Sequence, residues 1–340
     1  MASNKKTCLI TGGGGFCGAH AIMHYLHNTD WEIISVDSFR HLGKTDRITG
    51  MIDAHPYYAP RIKVLTHDLA VPFSKQFVEK LGRIDYIVNM ASLSHVDTSI
   101  TAPRDFVNNN INLMLTMLEY VREHPVEKFL HISTDEVYGP APMDYSHVEQ
   151  DYHRPSNPYS ASKAAQEDLG HAYWRTYGIP YIQTNTMNII GEMQDPEKLV
   201  PMIIKCAVKG ETMPIFANKD KSAAGTRKYL HARNQADALL FILKNVTPTK
   251  WPDTDEPPVF NVVGDREISN LDMALLVAGY TGKELKYELV NVHSARPGHD
   301  LRYSLDGTKL AELGWEAPMK FEDTVESTVK WTMAHPEWML

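Results

Sequence analysis

Short apolar runs alternate with longer amphipathic stretches through the first half of the chain. Thr7 to Thr11, Glu32 to Val36, Ile62 to Leu65, Tyr86 to Asn89, Phe129 to Ser133 and Tyr181 to Thr184 are largely apolar and too short for helices, so they predict buried strands. Phe16 to Leu26, Pro103 to Arg122 and Tyr159 to Tyr177 predict the helices between them. That alternation implies right-handed βαβ crossovers, hence an α/β fold with a doubly wound parallel sheet covered on both faces. After about Met187 the rhythm breaks, and Asp195-Pro196, Pro257-Pro258 and Pro297-Gly298 punctuate shorter elements. The pattern predicts a larger domain of residues 1–186 plus about 228–263. A smaller, irregular α/β domain is predicted from residues 187–227 and 264–340. No internal repeat or flexible Gly/Ser linker separates them.

Composition narrows the class. With 340 residues, 43% hydrophobic and 22% charged, the chain can bury a large core. Its net charge of -8 argues against a nucleic-acid or anionic-membrane partner, so any phosphate must be held by local groups. Cys8, Cys17 and Cys206 are odd in number and widely spaced, which predicts reduced thiols and no metal site. The apolar run after Met1 to Lys6 is too short for a signal peptide or a membrane span, and a cytoplasmic location is expected.

Thr11-Gly12-Gly13-Gly14-Gly15-Phe16-Cys17-Gly18 lies between the first strand and the first helix. It satisfies both G-x-G-x-x-G and G-x-x-G-x-x-G, the turn that lets backbone N–H groups approach a pyrophosphate at a helix N-terminus in a Rossmann-type domain. Asp37 ends the second strand about twenty residues beyond the last glycine, where a carboxylate binds ribose hydroxyls and repels a 2′-phosphate; this favours NAD, although Arg40 leaves NADP open. Asp68 stands where an adenine contact would lie, or serves only as a turn residue.

Ser133-Thr134-Asp135-Glu136-Val137-Tyr138-Gly139 places a hydroxyl and two adjacent carboxylates at a strand end. Burial drives the pKa values of such a pair apart and can supply one acid and one base, whereas alone it also reads as a solvated turn or a helix cap. Tyr159 and Lys163 are spaced i, i+4 and share one helix face, so the ammonium is expected to lower the phenol towards the range of a general base.

Together, Gly12 to Gly18, Thr134 and Tyr159-x-x-x-Lys163 resemble the extended short-chain dehydrogenase/reductase, or NAD-dependent epimerase/dehydratase, family. Ser133 to Gly139 is similar to the signature of its nucleotide-diphosphate-glucose 4,6-dehydratases, the dTDP-glucose type above all. The resemblance continues through Ser94-His95-Val96-Asp97, Pro158 to Lys163, Pro196 to Pro201 and Arg296-Pro297-Gly298-His299-Asp300. It implies a redox-neutral NAD-dependent lyase with Thr134, Asp135, Glu136, Tyr159 and Lys163 as catalytic residues. Gly12, Gly15, Phe16, Cys17, Gly18, Asp37, Ser38, Asp68, Leu69 and Ala91, with Tyr159 and Lys163, would bind NAD. Ser94, Asn188, Lys198, Leu199, Arg227, Asn261, Arg296 and His299 would hold a nucleotide-diphosphate sugar, Arg227 and Arg296 clamping its diphosphate. The resemblance also implies a homodimer through a four-helix interface that buries Leu113 and Met117.

The chain departs from the family pattern at Leu93, Thr98, Asn108, Asn109, Asn188-Ile189-Ile190-Gly191-Glu192 and the stretch Ala217 to Thr226. These departures leave the nucleotide base open. A sugar-nucleotide C4-epimerase or decarboxylase would share Tyr159, Lys163 and Thr134 without needing both carboxylates. A non-catalytic NAD-binding scaffold or sensor would need none of them.

Overall fold

The computed structural model describes residues 5–292 and 298–339. Its strands are β1 (Thr7–Thr11), β2 (Glu32–Asp37), β3 (Ile62–Thr66), β4 (Tyr86–Asn89), β5 (Lys128–Thr134), β6 (Tyr181–Thr186), β7 (Asn188–Ile190), β8 (Thr212–Ala217), β9 (Thr226–His231), β10 (Val259–Val262), β11 (Glu267–Ser269) and β12 (Lys286–Asn291). Its helices include α1 (Phe16–Asn28), α2 (Thr45–Ala54), α3 (Lys75–Leu81), α4 (Val96–Thr101), α5 (Pro103–Glu123), α6 (Pro158–Tyr177), α7 (Leu199–Lys209), α8 (Ala232–Asn245) and α9 (Asn270–Thr281).

One seven-stranded sheet runs β3-β2-β1-β4-β5-β6-β10. β1 pairs parallel with both β2 and β4, so the chain winds outward from β1 and then crosses back. That reversal is the switch point at which ligands bind in Rossmann-type sheets. β4 and β6 are buried along their whole lengths because helices cover both faces. Leu9, Ile87, Phe129, Met114, Leu118 and Tyr181 form the core between the sheet and its helices. Leu113 and Met117, expected at a subunit interface, lie inside this same core, because their face of α5 packs on the protomer's own sheet.

Two compact units result. One is Met1–Val137, Asn157–Asn185 and Ala236–Phe260; the other is Tyr138–Ser156, Thr186–Gln235 and Asn261–Leu340. Residues 138–156 differ from the sequence expectation. Their backbone bonds to the second unit, Ala141 N–H to Arg302 O at 3.0 Å and His147 N–H to Ser304 O at 2.9 Å. Residues from 228 to Gln235 also join the second unit, since β9 pairs with β7 and β11 in its three-stranded sheet. A second core of Ile203, Ile204, Met273, Val277, Val325 and Val329 fills that unit.

Candidate active site

The glycine turn follows β1 at the switch point. Gly12 has φ +72°, and a Cβ there would meet the Ala91 backbone at 3.0 Å; a Cβ on Gly18 would stand 2.2 Å from Gly12 O. These close approaches require glycine. Gly15 caps α1 without a side-chain hydrogen bond, which leaves the first N–H groups of the helix to a ligand such as a pyrophosphate. Thr11 Oγ1 accepts from Met90 N–H and Ala91 N–H, each at 3.1 Å, and donates to Asn89 Oδ1 at 2.9 Å, locking the ends of β1 and β4 together.

Asp37 is buried at the end of β2 and accepts N–H bonds from Gly14 at 3.0 Å and Phe39 at 2.8 Å. Arg40, which kept NADP open, reaches Asp68 at 2.9 Å. Ser38 is half-buried beside Asp37. The side chain of Leu69 packs into the apolar core. Phe16 and Cys17 open α1, both half-buried. Arg47 was not foreseen: fully buried on α2, it donates to Gly14 O at 3.0 Å and Leu42 O at 2.7 Å and so braces the glycine turn from behind.

At the end of β5, Thr134 Oγ1 donates to Asp135 Oδ1 at 3.0 Å, and Asp135 is buried. α6 starts opposite on a capping box. Asn157 Oδ1 accepts Ser160 N–H at 2.9 Å, Ser160 Oγ accepts Asn157 N–H at 3.2 Å, and Pro158 occupies the first turn. The same Asn157 donates through Nδ2 to Glu136 Oε2 at 3.1 Å, so one residue both starts the helix and holds the second carboxylate. Tyr159, half-buried, and the fully buried Lys163 follow on α6.

Burial lifts the Tyr159 phenol well above its ordinary value. Glu136, Asp135 and Cys17 push the same way, and a hydrogen bond with Thr134 pulls against them. The spacing predicted a lowered phenol. The difference arises because Lys163 Nζ is drawn into the sheet, donating to Ile132 O at 2.8 Å and Gln166 Oε1 at 2.7 Å. Burial in turn pulls the ammonium down to about 7, against the attraction of Glu167.

A polar layer that the sequence reading missed lies beneath α6. Glu167 accepts from Ser133 Oγ, from Asn185 Nδ2 at 2.9 Å and from Gln183 Nε2 at 2.6 Å. Gln166 Nε2 donates to Asn110 O at 2.6 Å, and Asn110 Nδ2 donates to Ser162 Oγ at 2.8 Å and Leu93 O at 3.1 Å. The available signal was the amide side chains of Gln183 and Asn185 in a strand that is buried throughout. Ser94 is exposed in the loop after β4.

The other expected ligand-holding residues belong to the second unit. Asn188 is exposed on β7, while Lys198 and Leu199 are half-buried at the start of α7. Arg227 donates to the carbonyls of Thr226 (2.7 Å), Leu301 (2.6 Å) and Asp300 (2.6 Å), and stacks 4.3 Å from the Tyr303 ring. Asn261 is fully buried, and its Nδ2 donates to His147 O and Asp306 O, both at 3.0 Å. It therefore ties these two segments together. His299 is half-buried, and Arg296 lies outside the described residues. Glu192, one of the departures, is gripped by His231 at 3.2 Å and Arg233 at 2.9 Å.

Known proteins bear on this geometry. The family model described as GDP-mannose 4,6 dehydratase matches residues 9–328. A dTDP-glucose 4,6-dehydratase of Shigella flexneri is 34% identical, covering 97% of this chain and 94% of that protein. The low-salt glycan biosynthesis protein Agl12 of Haloferax volcanii is also 34% identical, covering 97% and 99%. Among solved structures, the dTDP-glucose 4,6-dehydratase DesIV of Streptomyces venezuelae, with NAD bound, superposes with a TM-score of 0.86 at 29% identity, covering 98% of each chain.

Proposed function

Since the chain belongs to the NAD-dependent epimerase/dehydratase family matched by the GDP-mannose 4,6 dehydratase model, we propose that it is a nucleotide-diphosphate-glucose 4,6-dehydratase. It would convert dTDP- or UDP-glucose to the 4-keto-6-deoxy sugar nucleotide and water. The observation that carries this reading is the Asp135-Glu136 pair at the end of β5, with both carboxylates acting on the Tyr159 phenol. A C4-epimerase or a decarboxylase has no use for the second carboxylate.

The glycine cradle fits NAD: Gly12 and Gly18 leave no room for side chains, the start of α1 has no side-chain cap and offers its N–H groups to a pyrophosphate, and the buried Asp37 stands at the ribose position of the motif. Bound there, NAD supplies the hydride carrier between sugar C4 and C6. Tyr159 accepts the C4 hydroxyl proton. To do so its phenol must come down; the hydrogen bond with Thr134 acts in that direction, and Lys163 would join it only with its ammonium turned from Ile132 O and Gln166 towards the phenol. Once C4 is a ketone, the C5 proton is acidic and Glu136, steadied by Asn157, removes it. Asp135 protonates the departing C6 hydroxyl. The same reading includes a homodimer, supported by the half-buried apolar positions Val107, Ile111 and Leu115 on α5. It also includes a cytoplasmic location, supported by the three free cysteines.

Incubation with dTDP-glucose and UDP-glucose tests the proposal. An alkaline-labile 4-keto chromophore is expected with at least one of them. Formation of a galactose epimer alone, or no reaction with either, overturns it.

A further inference from the structure

Three polar side chains stand in one row across the seven-stranded sheet. Thr11 on β1, Asn89 on β4 and His131 on β5 are Cα partners on adjoining strands, and all three are fully buried. The proposed chemistry uses neither Asn89 nor His131.

Hydrogen-bond capacity decides how the row is wired. A hydroxyl has one proton and two lone pairs, and Thr11 Oγ1 accepts N–H bonds from both Met90 and Ala91, each at 3.1 Å. Its lone pairs are therefore filled. The remaining proton needs an acceptor, so the Asn89 atom 2.9 Å away is the amide oxygen, and the network itself fixes which way that amide points. Asn89 Nδ2 then faces the other side. It stands 3.4 Å from Met114 Sδ and 3.2 Å from His131 Nδ1, and an N–H that meets a ring nitrogen requires that nitrogen to be unprotonated. His131 is thus neutral, with its proton on Nε2. Burial, and after it the Lys163 charge, holds the ring well below its ordinary value, against a smaller pull from the Asn89 backbone. The ring packs on Tyr181 with centroids 6.2 Å apart, and Nε2 is buried without a hydrogen-bond partner among the described residues. The engaged side of the ring is Nδ1.

We propose that His131 and Asn89 are positioning residues for NAD: Nδ1 fixes the Asn89 amide, the amide turns the Thr11 hydroxyl, and the hydroxyl holds the Met90–Ala91 backbone in the cofactor cradle. Ala91 is a wall of that cradle, since a Cβ on Gly12 would meet its backbone at 3.0 Å. Without the Nδ1 acceptor, nothing keeps Asn89 Nδ2 on the His131 side, and a turned amide offers Thr11 a third donor in place of an acceptor. One backbone N–H then loses its bond, and the wall loosens. This inference rests on the reading of the glycine turn as the place where NAD binds.

Two substitutions of His131 separate a relay from a packing role. His131→Asn keeps an acceptor oxygen near the place of Nδ1, whereas His131→Leu fills the space with an apolar side chain that accepts nothing. Calorimetry of NAD binding to the full chain should leave His131→Asn close to the wild type and make His131→Leu about three- to tenfold weaker, the worth of one neutral hydrogen bond. Asn89→Leu, which cuts the row in its middle, should weaken NAD at least as much. A side chain needed only for packing would rank the His131 variants the other way, because leucine suits an apolar core better than asparagine. Equal affinities of the two His131 variants, or the reverse ranking, overturn the proposal.

The second readout needs neither a variant nor the cofactor. Nitrogen NMR of the imidazole in the NAD-free wild type, with the ring assigned through the His131 backbone, should show the Nε2–H tautomer at neutral pH. A proton on Nδ1, or a charged ring, sinks the positioning role and leaves the reading of the glycine turn standing. If the wild type takes up no NAD, that reading fails and the positioning role falls with it.

Discussion

The surroundings of Tyr159 and of Arg227 use polar side chains in opposite ways. Around Tyr159, buried polar residues hold one another: Glu167 gathers Ser133, Gln183 and Asn185, while Asn157 caps α6 and holds Glu136. The result is that the groups proposed to do the chemistry are fixed by neighbours to which the proposal gives none. Around Arg227, the residue expected to meet the ligand is itself the fastener, since its guanidinium serves three backbone carbonyls and a tyrosine ring. Asn261 behaves likewise, stitching His147 to Asp306. The same residue types therefore carry different meanings, according to which groups already engage their polar atoms.

The largest effect expected of the Tyr159 side is loss of C4 oxidation in Tyr159→Phe. General-base contributions of about a hundred- to ten-thousand-fold set the scale, with the protein still folded and still able to take up NAD. Near-wild-type single-turnover oxidation would remove Tyr159 from the site. The Glu136 variant divides the same chemistry. Glu136→Gln keeps an oxygen for Asn157 Nδ2, so oxidation should survive while elimination fails, and reduced nicotinamide should build up as near-ultraviolet absorbance. Asp135→Asn should be milder, because water can protonate a departing hydroxyl. Full elimination and solvent-deuterium exchange at C5 in Glu136→Gln would make the carboxylates structural.

The groups proposed to react were legible as candidates because each sits where a period or a turn puts it. The glycine turn, the end of β5 and the i, i+4 pair on α6 are local patterns, and the strands expected around them appear within one or two residues. The groups that hold them were not legible. Glu167, Gln166 and Arg47 act through partners distant in sequence, such as Asn185, Asn110 and Gly14, and no local period encodes those pairings. The exchange of residues 138–156 into the second unit was hidden for the same reason, since Arg302 and Ser304 lie far downstream. Leu113 and Met117 show the limit of reading a helix face: apolar spacing says that a face is buried, not by what.

The second unit offers a charge test of intermediate size. Burial pushes Glu192 upward, but the hydrogen bond and charge of His231 and the charge of Arg233 outweigh it and hold the carboxyl at about 2 against an ordinary 4.5. A lowered carboxylate stabilises the fold fully above pH 4.5, and that stabilisation is lost as pH falls towards 2. The loss should be on the order of 2–3 kcal/mol in the wild type and largely absent from the acid titration of Glu192→Gln, as followed by urea unfolding. Identical acid slopes for the two proteins would mean that the His231–Arg233 grip contributes nothing.

Arg227 gives the smallest effect and the most direct test of the contrast. Arg227→Met removes the donors to Thr226, Asp300 and Leu301 and the cation over Tyr303, but the site is only half-buried and water can replace part of what is lost. A cost of about 1–2 kcal/mol follows, read as a lowered melting temperature of the ligand-free protein. Arg227→Lys keeps the charge without the planar fork that serves several carbonyls at once, so it should recover little of that stability. A residue that only clamped a diphosphate would behave differently: Arg227→Met would melt like the wild type, and the KM for the sugar nucleotide alone would rise. An unchanged melting temperature would therefore erase the distinction between the two regions and return Arg227 to the ligand.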